Sequence, residues 1–162
     1  MIKVGFAGFA KSFLAWTLAG VTKDGVIYAD SRAPYRRWNK TVAVYESWAE
    51  VKSQKTQIVY MDHAEPEEFP DVVVYGVLPD PIRVEIALLG TLNQQRKTFY
   101  ILLGYEENTG MWPFQQNFQP TIILPWDIRH ATSVMLGIPL SLRDPAIGRL
   151  FNVLVEGIKK CG

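Results

Sequence analysis

Six short runs, nearly continuous in Val, Ile, Leu and Tyr, constrain what this chain can fold into more than any other feature. They lie at Ile2–Val4, Val26–Ala29, Gln57–Met61, Val72–Val77, Phe99–Leu103 and Thr121–Leu124. A strand with one wet face alternates apolar and polar residues. These runs mostly do not, so they read as strands covered on both faces of a largely parallel sheet. Helical stretches are predicted between and after them, at Ser12–Gly20, Ala43–Ser53, Ile82–Gln95, Arg129–Leu136 and Asp144–Lys160. Asp144 and Pro145 supply an N-cap and a first-turn proline for the last helix, and Lys159 and Lys160 sit in its final turn. Strands alternating with helices predict a three-layer α/β sandwich with a mainly parallel sheet. With 162 residues, 48% of them hydrophobic and 20% charged, the chain is most simply one domain, 1–162, with a core of its own. One place resists. Only Asp62 to Asp71 separate the third and fourth runs, and a parallel connection needs about a dozen residues, so the two form an antiparallel hairpin or one is misread.

Where the first strand gives way to the first helix, the chain reads Gly5-Phe6-Ala7-Gly8-Phe9-Ala10-Lys11-Ser12. This fits the phosphate-binding pattern G-x-x-x-x-G-K-[ST], with Ala10 in place of the last glycine. The residue types suit the chemistry. Glycines let backbone amides close around a phosphate, and the helix N-terminus adds a favourable dipole. Lys11 would reach the terminal phosphates and Ser12 would hold Mg²⁺, with Phe13 in the first helical turn. The competing pattern for a dinucleotide turn wants three glycines and finds one, with Phe13 where helix–strand contact needs the third.

The run Ile58-Val59-Tyr60-Met61-Asp62-His63-Ala64-Glu65 carries an acidic residue on the end of a hydrophobic strand. There Asp62 could join Ser12 on the Mg²⁺ shell, and Glu65 could polarise an attacking water. Together the two segments resemble the Walker A and Walker B elements of P-loop NTPases. The alanine variant is similar to the loop of minichromosome-maintenance helicases and the magnesium-chelatase-like AAA+ ATPases. That resemblance implies ATP as substrate, Mg²⁺ as cofactor and hydrolysis as the activity. Thr98–Gly104 with the polar tip 105–109 resembles a sensor-1 strand, and Phe118–Asp127 the segment after it. The family pattern places Glu directly after the Walker B Asp, where this chain has His63. The base therefore moves to Glu65, or hydrolysis is slow. Arg129 and Arg143 are candidate arginine fingers.

Two other enzyme classes share some of these residues. RuvC-type resolvases resemble a reading in which Phe13–Ala19 and Val26–Asp30 form a hairpin and Asp62, Asp127 and His130 hold a metal. That site lacks its central ligand, since Ala7 stands where the first-strand Asp belongs. Val72–Val77, the loop 78–81 and Glu85 resemble the nucleophile region of nucleoside deoxyribosyltransferases, although a carboxylate near a helix start also serves its own helix.

A net charge of +1 gives no global pull toward nucleic acid, so such a partner needs a local patch. Arg32, Arg36, Arg37 and Lys40, interleaved with Tyr35 and Trp38, are the candidate. Trp112, Pro113, Phe114 and Phe118 could form a lid or partner surface. The single cysteine, Cys161, excludes an intrachain disulfide and suits a reducing cytoplasm. The apolar start of the chain is interrupted by Lys11 and is too short for a membrane span. Assembly into a homo-oligomer is compatible with all of this.

Overall fold

The computed structural model describes the chain apart from residues 37–41, 93–95, 106–117, 119 and 126–132. Its elements, in chain order, are β1 (Ile2–Gly8), α1 (Lys11–Val21), β2 (Gly25–Ala29), a 3₁₀ turn (Ala33–Tyr35), β3 (Ala43–Tyr45) and α2 (Trp48–Lys52). They continue as β4 (Ile58–Asp62), β5 (Val72–Val77), α3 (Pro81–Leu92), β6 (Lys97–Tyr105), β7 (Ile122–Pro125), α4 (Leu140–Arg143) and α5 (Pro145–Lys159). The strands form one seven-stranded sheet in the order β3-β2-β4-β1-β5-β6-β7, parallel throughout. This is the predicted α/β architecture, and the all-parallel pairing accounts for the apolar runs.

One face of the sheet offers Val4, Ile27, Ile58, Tyr60, Val72, Val74, Ile101 and Leu124 to α1 and α5. Leu14 to Ala19 of α1 are all buried, because the helix is sandwiched between the sheet and the α4–α5 pair. The Ser141 hydroxyl donates to the Thr17 carbonyl at 2.7 Å and pins α4 to α1. Asp144 caps α5 by accepting from the amides of Ala146 and Ile147, as its place before Pro145 predicts. The other face carries Val26, Tyr28, Val59 and Met61 under Trp48 and Val51 of α2, and Val77 and Leu102 under Val84 and Ala87 of α3.

Four expectations change. Residues 43–53 are not one helix: Ala43–Tyr45 pairs with β2, and only Trp48–Lys52 is helical. The hairpin at 57–77 does not form, and neither run is misread. β4 and β5 are both parallel strands, one on each side of β1. The minimum length applies to a connection that carries a helix; nine residues can reach about 30 Å, enough to return past a strand of about 17 Å. The resolvase-like hairpin is also absent, since residues 11–21 are helix. Lastly, β1 runs to Gly8 where the sequence suggests a strand ending at Val4, because β5 supplies partners for Val4 through Gly8. Phe118 is buried against Leu102; the rest of the predicted lid, 112–114, lies outside the described residues.

Candidate functional site

β1 is the pivot of the sheet. It pairs with β4 from Ile2 to Gly5 and with β5 from Val4 to Gly8. Only Phe9 and Ala10 then separate it from α1. The tight turn depends on two glycines. Gly8 has φ +75, and a Cβ there would lie 2.2 Å from the Gly76 carbonyl oxygen. A Cβ on Gly76 would lie 2.1 Å from the Phe9 carbonyl oxygen, and the Phe9 amide donates to Gly76 at 2.9 Å. Ala10 completes the turn in the left-handed region at φ 58, a conformation that costs a non-glycine residue about 1 kcal/mol. It occupies the place of the last glycine in the motif, and its backbone shows why glycine would sit there at ease.

Gly5 has a different neighbour. A Cβ there would meet Pro70 Cγ at 2.7 Å, so the 63–71 crossover lies directly on β1 at this residue. Lys3 fastens that crossover. Its amide donates to Asp71 Oδ2 at 2.8 Å, its carbonyl accepts from the Asp71 amide at 2.8 Å, and its Nζ pairs with Glu68 at 3.0 Å. Glu68 also accepts from Trp48 Nε1 at 3.0 Å. The bond from Lys3, then that from Trp48, holds the Glu68 carboxyl below its ordinary value of 4.5, while the same Lys3–Glu68 bond raises the lysine above 10.5.

At the opposite end of the strand, β4 carries Asp62 to the carboxyl edge beside the start of α1. Ser12 Oγ donates to Asp62 Oδ2 at 2.6 Å, and the Tyr35 hydroxyl donates to the same oxygen at 2.6 Å. Tyr35 is fully buried under the 3₁₀ turn. Burial first, and then its bond to Asp62, push its hydroxyl far above the ordinary tyrosine range. Lys11, the first residue of α1, is exposed, and the helix has neither a side-chain cap nor an acid in its first turn. Glu65 is exposed just past the strand end, its amide 3.3 Å from His63 Nδ1. His63 stacks on Tyr28 with centroids 4.5 Å apart and lies 3.0 Å from Asp30.

Ser12 and Asp62 thus meet, with Lys11 and the first amides of α1 at the same edge. The residue types suit a hard cation. The Ser12 hydroxyl donates its one proton to Asp62 and lies within hydrogen-bond reach of Tyr35 as well, and Mg²⁺ takes oxygen ligands of this kind. Gly5 to Gly8 do not form a loop. They are strand, and successive strand amides point to opposite sides, so they cannot converge on one phosphate. The amides that face an anion at this edge are those that open the α1 first turn, at Lys11 and Ser12, which the helix does not bond internally. Spacing alone could not place Tyr35 here, since its hydroxyl reaches Asp62 only through the sheet order.

Other candidates fare differently. Arg32 is turned to acidic partners, its amide on Glu46 at 2.6 Å and its guanidinium 3.7 Å from Glu50. Arg36 is exposed, while Arg37, Trp38 and Lys40 lie outside the described residues. Asp127, Arg129 and His130 lie outside them too. Glu85 is exposed on α3, and Asp80 rather than Glu85 caps that helix, accepting from the Ile82 and Arg83 amides. Arg143 ends α4 and is exposed. No three His, Cys, Asp or Glu side chains cluster as a metal site among the described residues. Among them, too, no helix is long and apolar enough to cross a membrane.

No protein-family model matches the chain, and no curated protein matches it in sequence. Solved structures do match. The MinC:MinD cell division protein complex of Aquifex aeolicus superposes with a TM-score of 0.61 at 13% identity, over 93% of each chain. MinD of the same organism gives 0.59 at 11% identity, over 93% of this chain and 94% of that one. At such identities the likeness is one of fold: the chain shares the α/β architecture of these two structures.

Proposed function

We propose that this protein binds ATP with Mg²⁺ at the carboxyl edge of β1 and β4 and hydrolyses it slowly. One observation carries the reading: the Ser12–Asp62 pair at the N-terminus of α1, beside Lys11, in a fold like that of MinD. The phosphates would lie against the turn from Gly8 to Ala10 and the amides of Lys11 and Ser12 that open α1, with the Lys11 ammonium as counter-charge. Ser12 and Asp62 would hold Mg²⁺, which neutralises phosphate charge when bound. Glu65 is the carboxylate left to polarise water. Slow turnover follows from two features. Glu65 is exposed and no described contact fixes its carboxylate, and Gly5 does not contribute to a wrapping loop.

Lys11→Ala tests the assignment. Removing a charge-assisted contact of about 1.5–3 kcal/mol should weaken Mg²⁺-ATP by about tenfold or more, read by titration calorimetry, while thermal stability holds. Equal affinity in the variant would remove the phosphate site from this edge.

A second reading rests on the pairing of β1 through Gly8. On it, the fold is kept as an interaction module whose phosphate loop has closed into strand. One structural neighbour is a MinC:MinD complex, so a protein partner or self-association is the natural alternative role. Wild-type protein that binds no Mg²⁺-ATP would select this reading, and so would a monomer–dimer equilibrium indifferent to nucleotide.

A further inference from the structure

We infer that Tyr35 is a positioning residue for Asp62, and that the 3₁₀ turn carrying it completes the metal position. The inference rests on the Mg²⁺ reading above. Ser12 and Tyr35 both donate to Asp62 Oδ2, each at 2.6 Å. A carboxylate oxygen offers about two lone-pair positions, so Oδ2 is filled. Oδ1 has no hydrogen-bond partner among the described residues and remains for a cation or its water.

The two donors differ in what a cation does to them. Ser12 is itself a ligand in the proposed site, so its grip on Asp62 alters when metal arrives. Tyr35 ligates nothing in that site. Its ring is buried as part of the main hydrophobic core, and its hydroxyl is a donor that arrives from a separate element. An Asp carboxylate otherwise turns freely, because its terminal torsion is broad. Tyr35 therefore sets the plane of the carboxylate whether or not metal is present. Hydrogen-bonded supports of this kind are typically worth about 10–100-fold in metal affinity.

The test is a titration with Mn²⁺ alone, read by electron paramagnetic resonance, on wild type, Tyr35→Phe, Asp62→Asn and the double variant. Circular dichroism on the same samples checks the fold. Tyr35→Phe should weaken Mn²⁺ by about 10–100-fold. It should leave ADP binding in excess EDTA unchanged, which a general loosening of the edge would not. Added to Asp62→Asn, it should cause no further loss, because the two act through one carboxylate. Mn²⁺ affinity within about twofold of wild type, or tighter, would overturn the inference and leave the Mg²⁺ reading intact. A further loss in the Asp62→Asn background would overturn it as well. Folded wild type that takes up no Mn²⁺ would remove the metal reading itself, and this inference with it.

Discussion

The two ends of β1 present similar chemistry and use it differently. At the amino end, Lys3, Glu68, Asp71 and Trp48 are all spent on one another, and together they tie the 63–71 crossover to the strand. At the carboxyl end, Asp62 is held by two hydroxyls while Lys11 stands exposed at the head of a helix with no acidic side chain in its first turn. A lysine and a carboxylate near a strand mean structure where each satisfies the other. At the other end, among the described residues, the lysine is left over and the carboxylate is braced from behind, and that is the edge proposed to bind nucleotide.

The glycines sharpen this contrast, and the largest expected effect lies there. Gly76→Ala should destabilise the fold by about 3 kcal/mol or more, seen as a lower urea midpoint. Its Cβ would meet a backbone oxygen that cannot move without opening the turn, so the cost should lie at or above the usual range for overpacking. A shift under about 1 kcal/mol would mean that the close approach of Phe9 to β5 is not what holds the turn.

Gly5→Ala should cost less, about 1–3 kcal/mol, because the obstructing group is the Pro70 ring on a crossover that can shift. It should leave ATP affinity unchanged. Lost nucleotide binding with stability intact would instead return Gly5 to the phosphate site.

Glu68→Gln should have the smallest effect, and its sign depends on pH. The Glu68 carboxyl is held below 4.5 in the folded protein. Its stabilisation is therefore present above that value and is lost as pH falls through the lowered folded value. The gap in melting temperature between wild type and variant should be small at pH 7 and close as the solution is taken toward pH 3. A gap that widens on acidification would contradict the Lys3–Glu68 geometry.

Much of the fold was legible because strands buried on both faces carry unbroken apolar runs. Those runs located β2, β4, β5, β6 and β7 to within two residues at each end, though they missed β3. The length of β1 was not legible. Gly5-Phe6-Ala7-Gly8 has little strand character of its own, and β5 makes it a strand by supplying partners as far as Gly76. Residues 43–53 misled because Val44 and Tyr45 fit either period, and three residues are too few to decide. The sheet order was also out of reach, and with it the crossover on Pro70. In the candidate site, the spacing pointed to Ser12 and Asp62, which the fold brings within 2.6 Å. Tyr35 read as one member of a basic, aromatic cluster. Its hydroxyl finds Asp62 only because β2 and β4 are neighbours.

The most direct test of the central claim is hydrogen exchange by mass spectrometry with and without Mg²⁺-ATP, read at the two ends of β1. Exchange should slow at residues 8–14 and 59–65, where the phosphates and metal are proposed to sit. It should be unchanged at 66–71, where Glu68 and Asp71 are already engaged by Lys3 and Trp48. Slowing confined to another part of the molecule, or none at saturating Mg²⁺-ATP, would contradict the assignment of a nucleotide site to this edge.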